Sequence, residues 1–136
     1  MRYENILQQN HILDCVWSPK PITDLNSLDI DHVIPFSISK NNDLWNLLPA
    51  QKSVNGKKSD RIPSPEFIKK RSNVIKQYWD LLNDDDGFHD RFAREISISL
   101  IGSDGLSPGW QDEGIKQLCK KCNHLINVRG FDAWSL

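Results

Sequence analysis

Apolar positions follow strand-like spacing near the start of the chain and helical spacing after residue 64. Ile12, Leu13, Val16 and Trp17 form a short β-prone run that Ser18, Pro19 and Pro21 bring to an end. Residues 28–34 alternate apolar and polar until Pro35, which predicts a second strand. Alternation places Ile30 and His32 on one face and Asp29, Asp31 and Val33 on the other, although a strand's end is free to break that pattern. Residues 36–42 read as loop, residues 42–48 as a helical turn before Pro49, and residues 51–59 as a short helix stopped ahead of Pro63. Ser64 and Pro65 then open a longer helix with Ile68, Ile75, Trp79 and Leu82 as its buried stripe, closed by Asn83 to Gly87. Phe88, Phe92, Ile96 and Leu100 predict another helix, while residues 96–100 alternate as a strand would. Residues 102–109 are loop, and residues 110–127 form a last helix with Ile115, Leu118, Cys119, Cys122, Leu125 and Ile126 along one side. The fold class is α+β: two strands and a short helix over residues 12–63, extended by helices over residues 64–136.

A chain of 136 residues makes one domain, or the catalytic piece of a longer protein that also carries a sensor or regulatory part. Its 38% hydrophobic content and five tryptophans suffice for a core. No apolar run approaches the roughly 18–20 residues of a membrane span, and the first residues lack the features of a signal peptide. Together with an odd count of three cysteines, this leads to the expectation of a soluble, cytoplasmic protein without a disulfide framework or membrane attachment.

The formal net charge of −1 hides a segregation. Residues 52–76 carry a local net of +6 and residues 80–113 a local net of −7. A basic stripe of this kind suits a phosphate backbone, and it equally suits a helix face in water.

Chemistry concentrates in residues 28–60. A carboxylate, Asp31, adjoins an imidazole, His32, at a predicted strand end, and the amides Asn46 and Asn55 follow. Phosphodiester hydrolysis needs a base active near neutral pH, which is the property of histidine. It also needs a hard cation, and Mg²⁺ accepts a small number of oxygen ligands while keeping several waters. Asp31 and Asn55 offer one carboxylate and one amide oxygen. Lys52, Lys57, Lys58 and Arg61 stand where flanking phosphates would need compensating charge.

The pattern Asp31-His32, Ile34-Pro35, Asn46-Leu47 and Asn55 leading into Lys57-Lys58-Ser59-Asp60 resembles the HNH (His-Me finger) endonuclease family. It is closest to the form with Asn as third signature residue, as in the HNH domains of RNA-guided effector nucleases. The resemblance covers residues 12–63 and implies a ββα-metal finger. It implies His32 as general base, Asp31 and Asn55 as ligands of Mg²⁺ or Mn²⁺, and Asn46 as the middle signature residue that steadies the connecting loop and the histidine. Double-stranded DNA cut to 5′-phosphate and 3′-hydroxyl ends is the implied reaction, and restriction or anti-phage defence the implied setting.

One departure concerns zinc. Many HNH proteins hold a structural zinc with two Cys-x-x-Cys pairs. Here Cys15 is the single cysteine of the first pair, and residues 51–54 hold none of the second, so no structural zinc is expected and Trp17, Trp45 and Val54 are expected to fill the space. Cys119 and Cys122 share the apolar stripe of the last helix and read as core. Asp84, Asp85 and Asp86 lack the alternating ligand spacing of a calcium loop and read as a turn. The competing functional classes are a nucleic-acid-binding module with an inactive centre and a protein-interaction domain that docks through the last helix.

Overall fold

The computed structural model describes residues 2–136 and is α+β, mostly helical. Helix α1 (Arg2–Asn10) leads by a long loop into β1 (Leu28–His32), a short helix α2 (Phe36–Ser39), β2 (Leu47–Gln51) and α3 (Lys52–Lys58). A two-residue strand β3 (Ile62–Pro63) precedes α4 (Pro65–Lys70), α5 (Ser72–Asn83), α6 (His89–Ile96), α7 (Trp110–Asn127) and β4 (Ala133–Trp134). β1 and β2 pair antiparallel, with Leu28 opposite Gln51 and His32 opposite Leu47, while β3 and β4 pair in parallel.

The expected first strand is not a strand. Residues 12–17 make one antiparallel bridge, Leu13 to Ile22, and otherwise run as an extended loop. Side chains take its carbonyls. The Tyr78 hydroxyl donates to Asp14 O (2.5 Å), and the Arg71 guanidinium donates to Cys15 O and Val16 O (2.8 Å each) and Ser18 O (3.2 Å). With its acceptors satisfied in this way the loop needs no ladder.

The strand that pairs with β1 is instead β2, in the stretch read as a helical turn ending at Pro49. That turn exists as a 3-10 turn, Leu44–Asn46, and β2 follows at once. Pro49 is tolerated because each sheet has only two strands, so its missing N–H faces no ladder partner it must serve, and its carbonyl accepts from Val16 N at 2.9 Å.

The long helix expected from Ser64 forms as two, parted at Arg71, whose side chain is committed to the 15–18 loop. Ser64 caps α4 by accepting from Phe67 N at 3.2 Å. Ile68, Ile75, Trp79 and Leu82 are buried as the periodicity predicts. Residues 97–101 continue α6 as a π turn, which settles the ambiguous stretch as helical and ends at Gly102 with φ +79°. Trp17, Trp45 and Val54 are buried, as are Cys15, Cys119 and Cys122, all three with free thiols. Gly114 lies under the Trp79 ring, where a Cβ would come within 2.7 Å of a ring carbon. Among the described residues no helix is long and apolar enough to cross a membrane.

Candidate active site

At the C-terminal end of β1 the strand's alternation fails, and Asp31 and His32 both border one cavity of about 310 Å³. Pro35, Phe36 and Ser37 form a second wall, and Asn55, Ser59 and Asp60 a third. The structure therefore brings together three of the residues singled out in the sequence, Asp31, His32 and Asn55.

Asp31 is 5% exposed and strongly held. Trp17 Nε1 donates to its Oδ2 at 2.6 Å, and the Lys58 ammonium lies 3.3 Å from Oδ2 and 3.4 Å from Oδ1. Lys58 also donates to His32 O at 2.9 Å. Burial pushes the Asp31 carboxyl up and the Lys58 ammonium down, and their mutual attraction opposes both shifts. Lys58 is thus a correction to the sequence reading. Its side chain is 0% exposed, so it serves an internal carboxylate and cannot reach a phosphate outside. Lys52, Lys57 and Arg61 are exposed, and Lys52 lies 3.9 Å from Asp29. The Arg61 guanidinium donates to the carbonyls of Lys57 and Lys58 and so closes the end of α3.

The imidazole of His32 is oriented by a residue the sequence reading passed over. Its Nε2 lies 2.7 Å from Asn42 Oδ1. An amide oxygen only accepts, so Nε2 carries the proton, and in the neutral ring Nδ1 then holds the free lone pair. Phe36, 41% exposed, flanks the ring at 5.6 Å between centroids, with Lys40 Nζ 5.5 Å from the Phe36 ring centre. Nothing in the sequence distinguished Asn42 from its neighbour Asn41; only the path of the loop does.

Asn46 is 0% exposed and does not touch the imidazole. Its Oδ1 accepts from Ile34 N (2.9 Å), and its Nδ2 donates to Ile34 O and Asn41 O (3.1 Å each). Its own carbonyl accepts from Val33 N at 2.9 Å. One side chain thereby pins both ends of the segment between His32 and Asn42.

Asn55 donates through Nδ2 to Asp29 Oδ2 at 3.2 Å, which leaves its amide oxygen as the group available to a ligand. The donors around the cavity are thus oxygens of Asp31, Asn55 and Asp60 beside an imidazole, a set of the hard type preferred by Mg²⁺ and Mn²⁺. Among the described residues no three His, Cys, Asp or Glu side chains cluster as a metal cage, so a cation here would rely on few protein ligands and keep waters. Asp31 has room for one. A carboxylate offers about four lone-pair directions, and Oδ1 meets only the longer of the Lys58 contacts among the described residues.

An antiparallel strand pair is followed directly by a helix, and an imidazole and oxygen donors face one cavity at its end. Residues 15–64 match the family model described as HNH endonuclease. The match begins at Cys15, takes in β1, α2, β2, α3 and β3, and ends at Ser64, the cap of α4.

Cys15 and Gln51 lie together: Gln51 N donates to Cys15 Sγ at 3.2 Å, and the Gln51 amide donates to Pro21 O at 2.5 Å.

Proposed function

We propose that this protein is a metal-dependent endonuclease that hydrolyses phosphodiester bonds of double-stranded DNA. The observation that carries the reading is the convergence of Asp31, His32 and Asn55 on one cavity, with His32 Nε2 engaged by Asn42 and Nδ1 left as the base. β1, β2 and α3 act in this reading as the ββα-metal core.

His32 Nδ1 takes a proton from water, whose oxygen attacks phosphorus. The bond to the 3′ oxygen breaks, leaving a 5′-phosphate and, once that oxygen is protonated from solvent, a 3′-hydroxyl. Asp31 and Asn55 would hold the Mg²⁺ or Mn²⁺, and when bound the ion supplies positive charge against the charge developing on phosphate and leaving oxygen. Trp17 and Lys58 fix the Asp31 carboxylate, and Asp29 fixes the Asn55 amide, so neither ligand has to be ordered when the ion arrives. The exposed Lys52, Lys57 and Arg61 contact flanking phosphates. Restriction or anti-phage defence, under the control of a sensor domain or subunit, is the setting we infer for such an activity.

Plasmid nicking with Mg²⁺ or Mn²⁺, run beside EDTA and His32→Ala, tests this reading. The expected result is loss of supercoiled plasmid that both controls abolish. Intact plasmid with every divalent ion, from folded protein, would turn the assignment to a binding module.

A further inference from the structure

A second concavity, of about 480 Å³, lies between α2 and the C-terminal half of α7. Its floor is apolar, with Ile34, Ile38, Leu100 and Leu125, its cationic groups are Lys120, Lys121 and Arg129, and His124 also lines it. No carboxylate lines it, and Gln117 and Ser39 add neutral hydrogen-bonding groups. Residues 114–131 carry Lys116, Lys120, Lys121 and Arg129 and no acid at all, a basic run on the far side of the acidic 80–113 stretch in sequence.

The groove adjoins the candidate active site through α2. Pro35, Phe36 and Ser37 face the cavity that holds His32, whereas Ile38 and Ser39 face the groove. A four-residue helix is about 6 Å long by its rise. The partition is therefore on the scale of one to two nucleotide steps along a strand, at 3.4 Å each.

We propose that this groove is a second nucleic-acid contact, in which Lys121 and Arg129, with Lys120, grip backbone phosphates a few nucleotides from the bond held at His32. The proposal rests on the nuclease reading for its orientation. It predicts a substrate footprint that crosses α2 and continues along α7 in place of the buried Lys58. Positive charge without carboxylates is matched by a polyanion, and adjacency to a phosphodiester site selects nucleic acid over an acidic polypeptide.

The test uses the full chain carrying His32→Ala and fluorescence anisotropy with a duplex of about 20 base pairs, in EDTA, over a salt series. Lys121→Glu with Arg129→Glu is compared with Lys69→Glu with Lys70→Glu, an equal charge change on the exposed face of α4. All four side chains are exposed, so folding is retained, which circular dichroism checks. The groove variant is expected to bind roughly tenfold or more weakly at low salt, with a salt slope smaller by about 2, while the α4 variant changes less. Unchanged affinity, an equal fall in the α4 variant, or no binding of DNA at low salt would each overturn the proposal. Nicking by the otherwise wild-type chain is scored separately, so a failed groove and a failed nuclease give different results.

Discussion

The Lys58 ammonium lies 3.3 Å from the Asp31 carboxylate, and the two side chains are 0% and 6% exposed. A buried pair of this kind is costly to break from one side, because the survivor keeps its charge without a partner. Lys58→Met alone is expected to destabilise the protein by about 3–5 kcal/mol. Asp31→Asn combined with Lys58→Met should restore a large part of that loss. Urea denaturation of the two single variants and the double variant measures the coupling; additive effects would mean that the pair does not act as a unit.

In the proposed mechanism Asn42 orients the base by holding His32 Nε2 at 2.7 Å. Asn42→Ala is expected to lower kcat by about tenfold while leaving Mn²⁺ affinity unchanged. Asn42→Asp keeps an acceptor at Nε2 and adds a negative charge, which favours the imidazolium. The histidine then needs a higher pH to become a free base, so the acid limb of the pH–rate profile should move to higher pH. A shift to lower pH, or none with full activity, would remove Asn42 from this role.

Ser59 ends α3 on the rim of the cavity with φ +52° and ψ −134°, a conformation that glycine alone adopts without strain. Ser59→Gly is expected to raise stability by about 1 kcal/mol in thermal or chemical unfolding. If the strain holds Asn55 in place, nicking falls in the same variant despite the gain.

Gly114 lies inside α7, one turn past its start, where alanine ordinarily gains about 1 kcal/mol over glycine. Here the Trp79 ring occupies the place of the methyl group. Overpacking outweighs propensity, and Gly114→Ala is expected to cost about 1–3 kcal/mol. Differential scanning calorimetry decides the sign.

Burial pushes the Cys122 thiol up to about 12. Above the unfolded thiol's value of about 9, the unfolded chain has released a proton that the folded chain still holds. Stability should therefore fall as pH rises from 9 toward 12, in the same direction as the raised Tyr3 and Tyr78. Iodoacetamide at pH 8.5 should leave Cys122 unmodified in folded protein and label it in urea, read by peptide mass.

The helical half was legible because its burial repeats: Ile68, Ile75, Trp79 and Leu82 each return to one side, and α7 spans the residues that its stripe predicted. Residues 12–17 misled because they are an apolar run of strand length, and residues 47–51 because Pro49 in their middle argued against a strand. What separates them is tertiary, since Arg71 and Tyr78, more than fifty residues away, take the carbonyls of the first. At the site, Asp31, His32 and Asn55 were visible as residue types at a known spacing. Asn42 and Trp17 were not, because their roles depend on where loops return. Lys58 was misplaced because the charge of a lysine in sequence says nothing of whether it points inward.

The commitment of Arg71 to the 15–18 loop reaches beyond the break in the helix. That loop presents Trp17, whose indole holds Asp31, and the same dependence recurs where Glu95 accepts from Leu44 N and Trp79 donates to Trp45 O. The segment that lines the cavity thus borrows its rigidity from residues 71–95, outside the stretch that matches the family model. A chain cut back to that stretch would keep every signature residue and lose the scaffold that aims them.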